Sequence, residues 1–305
     1  MSTSLARRAV NFGATQMPLW WLRWSPGPIG ALVGFFSGAA RRQVRNNQRL
    51  IHGRRSSLVE LRDVVATMAG YGHALAEGLA IAGDRSVAWR FTHEDAEHFV
   101  RATENGRGAV FVTAHVGSWD VAGSMLARRG LKLGMVMAAE RNADARAIHD
   151  EARTRRGIEI FHVGTDPLAA LPLLRHLRSG GIVAMQIDRV PAGMRSRACD
   201  FFGARWEIPL GPFQLARLAG VPIIPLFTAR TGDLAHLIHV DRPIELPRRA
   251  SDGELGAAMQ LATAGMEAFI RRFPTQWFHF APHPIASVET ELVQVRAHVP
   301  GAAAR

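Results

Sequence analysis

The residues best placed to do chemistry lie in the stretch GAVFVTAHVGSWDVAG, where an apolar run ends at His115 and a carboxylate follows at Asp120. In a chain of this composition, a His and an acid separated by four residues occur about once by chance, so the spacing alone is a weak signal. A second such pair, His236 and Asp241, lies in a segment that alternates like a strand, where residues five apart point to opposite faces. The first pair crosses a predicted strand-to-helix junction, where the two side chains can converge.

A carboxylate beside an imidazole can accept the Nδ1–H, fix the tautomer and leave Nε2 free to take a proton from a hydroxyl. We therefore expect Asp120 to orient His115 as a general base that acts directly on an acceptor hydroxyl, without a covalent enzyme intermediate. Backbone N–H groups at Gly117 and Ser118, at the predicted helix start, are candidates for stabilising an oxyanion. The alternative for the His115 and Asp120 pair is a structural hydrogen bond at a helix start.

Predicted strands and helices alternate along the chain, which indicates an α/β fold with a central, mainly parallel mixed sheet flanked by helices. The central strands are GAVFVTA, LKLGMVMA, IEIFHV and GIVAMQI. His115 and Asp188 each follow one of these strands, and sites in open α/β sheets collect at the carboxyl ends of strands. For Asp188 the alternative is a loop-capping turn. Thr92 is expected to cap a separate helix over THEDAEHFVRATENG.

Charge and cysteine content narrow the class of protein. The formal net charge is +11, carried by arginine because Lys132 is the only lysine, and this favours anionic partners such as lipid headgroups or phosphate-bearing donors. The single cysteine, Cys199, excludes an internal disulfide framework. The sequence has no helix-turn-helix, RNA-recognition or standard zinc-ligand pattern, so we expect neither a nucleic-acid partner nor a metal site.

The N-terminal region is apolar, with no charged residue from Trp24 to Ala40 and several arginines directly after it. Pro26 and Pro28 interrupt this stretch, which is at the short limit for a spanning helix. We expect a retained anchor that lies in or dips into the bilayer, the alternative being an apolar helix packed on the domain. The predicted organisation is an N-terminal membrane-associating helical region over 1–50, an α/β domain over 51–285 and a flexible tail over 286–305.

The segment AHVGSWD resembles the His-x4-acid motif of bacterial lysophospholipid-type acyltransferases. It most resembles the branch that contains the lipid A lauroyl/myristoyl acyltransferases and the phosphatidylinositol mannoside acyltransferase, although Ser118 stands where that branch usually has Asn. Further segments resemble family blocks in the same order: VRNNQRLI, ARTRRG, QIDRVPAG, CDFFGARWEIPLGPFQLARLAGVPIIPLF and FPTQWFHFAPHP. Together they cover residues 15 to 285.

The resemblance implies a glycerol-3-phosphate acyltransferase-like fold with His115 as general base, Asp120 as its orienting partner and Asp188 as a second catalytic acid. Arg153 matches an Arg of the family and would bind donor phosphates, although Arg155 and Arg156 lie close enough to change that register. The residues expected to bind donor or acceptor are Arg153, Arg189, Ser118, Trp119, Phe202 and Gly203. For the aromatic block Phe201, Phe202 and Trp206, lining an apolar acyl site and filling the core remain alternatives.

We therefore predict a membrane-associated acyltransferase that moves a fatty acyl group from acyl-CoA or acyl carrier protein to a hydroxyl of a lipid or glycolipid. It is expected to need no cofactor and to work at the cytoplasmic face of the cell inner membrane. The alternatives are a hydrolase that uses the same site on an acyl thioester or lipid ester, and a non-enzymatic lipid-binding protein.

Overall fold

The computed structural model describes residues 10–83, 87–138, 157–163, 168 and 170–283. Its helices are α1 (Leu19–Trp24), α2 (Pro26–Phe36), α3 (Gly38–His52), α4 (Ser57–Ala82), α5 (Ala96–Ala102), α6 (Trp119–Arg128), α7 (Ala170–Arg178), α8 (Gly211–Ala219) and α9 (Asp252–Arg272). Its strands are β1 (Arg90–Glu94), β2 (Ala109–Thr113), β3 (Leu133–Ala138), β4 (Ile158–Val163), β5 (Ile182–Gln186), β6 (Ser196–Phe201), β7 (Ala204–Pro209), β8 (Ile223–Gly232) and β9 (Ala235–Val240).

The centre of the fold is a seven-stranded sheet in the order β1-β9-β8-β2-β5-β3-β4. Neighbouring strands are parallel except β8 and β9, which form an antiparallel pair, so β9 and β1 run opposite to the other five. Every residue of β2 is buried, as expected for a central strand covered on both faces. The predicted α/β fold with a mainly parallel sheet is confirmed.

Helices cover both faces of this sheet, and the side chains of β2 alternate between the two resulting cores. Val110 and Val112 point into the core shared with α8 and α9, whereas Phe111 points into the core shared with α6. Because β2 and β5 are neighbours with matched register, the chain leaves both at the same carboxyl edge. This edge is where the polar residues of interest lie.

One local prediction is wrong, and one hairpin was not predicted. Thr92 does not cap a helix: it lies in β1, paired with Leu237 of β9, and the helix begins only at Ala96 after Asp95 in the left-handed region. The segment forms a strand because pairing with β9 satisfies its backbone hydrogen-bonding groups along five residues. The second miss is the hairpin β6–β7, which the sequence analysis treated only as part of a family block.

The N-terminal helices pack on α4. A Cβ at Gly30 would come 2.3 Å from the carbonyl oxygen of Met68, and one at Gly72 would come 2.2 Å from that of Pro26, so glycine permits this close contact of α2 and α4. Among the described residues, no helix is long and apolar enough to span a bilayer. The proposed boundary at residue 50 falls within α3, which ends at His52.

Candidate active site

His115 and Asp188 meet because β2 and β5 are adjacent and parallel. Thr113 pairs with Gln186 in the register of these strands, so the residues two positions further on leave the sheet side by side. The Nδ1 atom of His115 lies 2.8 Å from Oδ1 of Asp188, and the backbone N–H of His115 donates to Oδ2 at 3.1 Å. The expectation that both residues stand at the carboxyl edge of the sheet is confirmed.

The structure corrects which carboxylate orients the histidine. Asp188, and not Asp120, lies on Nδ1 of His115. An ionised carboxylate only accepts hydrogen bonds, so Nδ1 carries the proton and Nε2 keeps its lone pair. The His115 side chain is 23% exposed whereas that of Asp188 is completely buried, which leaves Nε2 as the accessible atom of the pair.

Asp120 lies in the first turn of α6, after Ser118, as predicted. Its side chain packs against Gly78 of α4, where an added Cβ would lie 3.3 Å from the Asp120 Cβ. The negative charge of Asp120 also contributes, after burial, to raising the pKa of Tyr71. A carboxylate in this turn interacts favourably with the helix dipole. The four-residue spacing therefore places Asp120 toward α4 and not on Nδ1.

The Asp188 carboxylate is the most enclosed charged group of the site. Its Oδ2 accepts a further hydrogen bond from Nε1 of Trp277 at 3.0 Å, and its backbone carbonyl accepts one from Nε1 of Trp206 at 3.2 Å. Burial by itself would raise the pKa of Asp188, but the charge and hydrogen bond of His115, together with the Trp277 hydrogen bond, hold it well below its usual range. Asp188 is therefore ionised at working pH.

Trp277 is a site residue that the sequence analysis did not single out. It is fully buried, forms an isolated antiparallel bridge with Val116 and belongs to the segment FPTQWFHFAPHP that carried part of the family resemblance. A buried indole N–H requires an acceptor, and this one finds the Asp188 carboxylate. Trp277 and Asp188 are 89 residues apart in the sequence, so no local pattern could predict their contact.

Arg189 supplies positive charge beside the accessible atom of the pair. Its guanidinium Nη2 lies 3.5 Å from Nε2 of His115, and the side chain is otherwise exposed. A cation here can stabilise negative charge that develops on a reacting carbonyl, or hold an anionic group of a substrate. Arg153, Arg155 and Arg156 lie outside the described residues.

The expected oxyanion donor at Gly117 is already occupied. Its backbone N–H donates to the carbonyl of Gln276 at 3.0 Å, so it is not free to bind a substrate oxygen. Gly117 has a positive φ of 60°, and a Cβ there would lie 2.1 Å from the carbonyl oxygen of Thr228, so glycine is required. Of the two expected donors, the N–H of Ser118 stays a prediction.

An apolar cavity lies under the loop that carries His115, between α6 and the sheet. Trp119 and Thr113 stand at the end nearest the loop, and Gly123, Leu126 and Met135 line it further along α6 and β3. The Ser118 side chain is buried, and its Oγ has no hydrogen-bond partner within the described part of the chain. Of the predicted substrate-binding residues, Trp119 lines this cavity.

Phe202 and Gly203 form the turn of the β6–β7 hairpin, with positive φ values of 49° and 74°. The backbone N–H of Phe202 donates to Glu267 of α9 at 2.6 Å, which holds the turn against that helix. Phe201 and Trp206 flank the turn and are completely buried in an aromatic cluster with Trp277. These positions correspond to the core-filling alternative, and contact of Phe202 or Gly203 with a ligand stays a prediction.

The second His-x4-acid pair is separated, as its strand position predicted. His236 lies on β9 with Nε2 3.4 Å from Glu77, whereas Asp241 accepts a hydrogen bond from the backbone of Arg242. In residues that the structure describes, His, Cys, Asp and Glu form no group of three that could hold an ion.

Two curated acyltransferases are similar in sequence to this chain. Over 200 residues the chain is 26% identical to the phosphatidylinositol mannoside acyltransferase of Mycolicibacterium smegmatis, covering 65% of this chain and 63% of that one. The corresponding protein of Mycobacterium tuberculosis is 24% identical over 208 residues, 66% of this chain and 62% of that one. The chain thus spans less than two thirds of the length of these curated relatives.

Among solved structures, the 1-acyl-sn-glycerophosphate acyltransferase of Thermotoga maritima aligns with a TM-score of 0.37 and 12% identity, covering 79% of this chain and 96% of that one. The model of the bacterial lipid A biosynthesis acyltransferases matches residues 5–283, nearly the whole chain. This protein therefore belongs to the bacterial lipid A biosynthesis acyltransferase family.

Proposed function

We propose that this protein transfers a fatty acyl group from an acyl thioester, acyl-CoA or acyl carrier protein, to a hydroxyl of a lipid or glycolipid. The observation that carries the proposal is the pair of His115 and Asp188, with Nδ1 held at 2.8 Å and Nε2 accessible, in a chain of this family. No nucleophilic side chain of the enzyme is needed, because the acceptor hydroxyl supplies the nucleophile.

The tautomer of His115, with its proton on Nδ1, determines which nitrogen can act as the base. Nε2 of His115 takes the proton of the acceptor hydroxyl as its oxygen attacks the thioester carbonyl carbon. The resulting imidazolium is stabilised by Asp188, and Arg189 stabilises the negative charge on the carbonyl oxygen. The tetrahedral intermediate then expels the thiolate, which takes the proton back from Nε2 as the C–S bond breaks. The products are the acyl ester and the free thiol, and the enzyme returns to its starting state.

We propose further that part of the acyl chain enters the apolar cavity beside α6. The cavity lies on the same face of the sheet as Phe111 and Thr113, directly before His115 in the chain, so a thioester carbonyl near Nε2 could direct its alkyl chain there. The lining is almost entirely apolar side chain and small residues, which suits an alkyl chain and not a charged group.

We infer that the N-terminal helices rest on the membrane surface and bring the site to its lipid acceptor. Apolar side chains that are more than two-fifths exposed cluster in α1, α2 and the first half of α4: Trp20, Trp24, Ile29, Leu32, Val33, Phe35, Phe36, Leu58, Leu61 and Val65. Such a patch is unusual on a soluble surface and typical of an interfacial element. Arg41 and Arg42 lie near the start of α3, the next helix, and would meet anionic headgroups.

The proposal is tested with the purified full chain, labelled acyl-CoA or acyl carrier protein, and lipids extracted from the source organism after deletion of the gene. We expect the wild type to yield a lipid heavier by one acyl group and His115→Ala to yield none. Release of free fatty acid without an acylated lipid would instead identify a hydrolase. Equal lipid profiles with wild type and His115→Ala would refute the proposal.

A further inference from the structure

Residues 274–280, here named the strap, support both members of the His115 and Asp188 pair. Trp277 of the strap donates to Asp188 at 3.0 Å, and the backbone N–H of Phe278 donates to the carbonyl of His115 at 2.7 Å. The carbonyl of Gln276 accepts from the N–H of Gly117, two residues after His115 in the chain. The relative position of imidazole and carboxylate therefore depends on where the strap lies.

Two side chains of α3 hold the strap from behind. Nδ2 of Asn47 donates to the carbonyl of His279 at 2.7 Å, and Nε2 of Gln48 donates to the carbonyl of Pro274 at 2.8 Å. These contacts join residues 232 and 226 positions apart, and they grip the strap near its two ends. α3 belongs to the N-terminal helices, so the helices proposed to contact the membrane also contact the support of the site.

Burial makes these contacts energetically significant. Asn47 is 0% exposed and Gln48 is 1% exposed, and a buried amide that loses its partner costs about 1–3 kcal/mol. The orientation of the Asn47 amide follows from the His279 carbonyl, which can only accept a hydrogen bond, so Nδ2 must face the strap. Oδ1 then lies 2.7 Å from Nε2 of His283 and accepts from Gln43 at 3.1 Å.

We propose that Asn47 and Gln48 are positioning residues for acyl transfer, acting through the strap and Trp277 on Asp188 and His115. This inference rests on the proposed function, because its readout is the rate of the same reaction. Both side chains donate to strap carbonyls, and the other partners of Asn47 are Gln43 and His283 and not groups of the open site, so neither residue is expected to touch substrate. Their loss should affect kcat and leave the KM for the acyl donor unchanged.

The first test is Asn47→Asp, with Asn46→Asp as its matched control. Asn46 is the adjacent residue of the same helix and is exposed, so the control makes the identical chemical change without touching the strap. The new carboxylate at position 47 cannot donate to the His279 carbonyl and repels it. We expect kcat to fall on the order of tenfold with KM changed less than twofold, a loss typical of a displaced hydrogen-bonded group. The control should match the wild type.

The second test, Gln48→Met, distinguishes an effect on the positioning of the catalytic pair from an effect on the stability of the fold. Methionine has a similar length, and Oε1 of Gln48 has no hydrogen-bond partner among the described residues, so the change removes a buried unsatisfied atom together with one hydrogen bond. We expect the melting temperature to stay within a few degrees of the wild type while kcat falls several-fold. A variant that folds as well as the wild type and keeps its full kcat would overturn the role of Gln48.

A double-mutant cycle with Trp277→Phe decides whether the effect passes through the strap. If it does, Asn47→Asp should cost little further activity once the hydrogen bond from Trp277 to Asp188 has been removed, so the two losses are strongly non-additive. Additive losses, or an Asn47→Asp kcat equal to that of Asn46→Asp, would overturn the proposal. If the wild type and Asn46→Asp both fail to transfer an acyl group, the proposed function itself is refuted, which is a distinct outcome.

Discussion

Replacement of Asp188 by Asn tests the assignment of the histidine partner. The carboxylate accepts three hydrogen bonds, from Nδ1 and the backbone N–H of His115 and from Nε1 of Trp277. An amide offers one oxygen and one NH2 group in the same space, so only two arrangements are open to Asp188→Asn.

The energies of the two arrangements differ enough to choose between them. With the amide oxygen on Nδ1, the NH2 group faces the N–H of His115 and the Trp277 indole, leaving two buried donors unpaired at about 1–3 kcal/mol each. With the amide reversed, its oxygen accepts from both of those donors and its N–H donates to Nδ1. The second arrangement pairs the His115 N–H and the Trp277 indole and leaves only the second amide N–H without an acceptor among these groups, so it should prevail and keep the fold intact.

The reversed amide changes the tautomer of His115. A proton donated to Nδ1 forces the ring proton onto Nε2, which then cannot accept the proton of a hydroxyl. At the carboxylate of a Ser-His-Asp triad the equivalent change costs about 10⁴ in kcat, and we expect a loss of about 10³–10⁴ here, equivalent to about 4–5.5 kcal/mol.

Two measurements check this prediction. The rate is measured with labelled acyl donor at saturating concentration, and the tautomer is read from the ¹⁵N chemical shifts of the His115 ring. Asp120→Asn is the matched control, and because Asp120 does not lie on Nδ1 it should lose a smaller factor. Retention of more than a tenth of the activity by Asp188→Asn, or a larger loss in Asp120→Asn, would refute the reasoning.

Three further predictions concern the cavity, the membrane and pH. Gly123→Ala adds a methyl to the cavity wall that would lie 2.3 Å from Met135 Cε, so the preferred acyl chain should shorten. Each CH₂ that is excluded from the cavity should cost about 0.8 kcal/mol of binding free energy, or about fourfold in preference between competing acyl donors. Gly211→Ala, whose Cβ meets nothing within 4 Å, is the control and should leave that preference unchanged. Phe36→Ser removes a side chain that is 77% exposed and should weaken binding to anionic vesicles about tenfold, measured by sedimentation of the protein with the vesicles. Leu261→Ser, at a 62% exposed position of α9, is the control and should bind as the wild type does. Equal sedimentation of the two variants would contradict the proposal that the N-terminal helices contact the membrane. Burial lowers the pKa of His279 to about 4, so the unfolded chain binds this proton first as pH falls below about 6.5, and this histidine alone should lower the free energy of unfolding by about 2 kcal/mol between pH 7 and pH 5. Denaturant unfolding at both pH values should show this drop reduced in His279→Phe, and an unchanged drop would exclude His279 as its source.

The parts of this fold that the sequence predicted are those with strong local patterns. Apolar runs rich in β-branched residues predicted β2 and β5, and both strands are present. β1 was missed because its polar sequence RFTHE becomes a strand only through pairing with β9, far along the chain. Tertiary pairing overrode the local helix signal there.

The sequence predicted which strand ends carry the site residues but not which of these residues contact each other. His115 and Asp188 were both expected at carboxyl edges, but only the register of β2 with β5 shows that they are direct partners. The four-residue spacing drew attention to Asp120, whose helix instead turns it toward α4. Trp277, Asn47 and Gln48 reach the site across long sequence separations, so no motif of short range could identify their contacts.

The most direct test of the central claim is lipid mass spectrometry on a gene-deleted strain of the source organism that expresses wild type, His115→Ala or His52→Ala at equal levels. His52 is an exposed histidine at the end of α3 and serves as the control. We predict that the wild type and His52→Ala produce a lipid heavier by one acyl group and that His115→Ala does not. The same acylated lipid in the His115→Ala strain would contradict the assignment of His115 as the catalytic base.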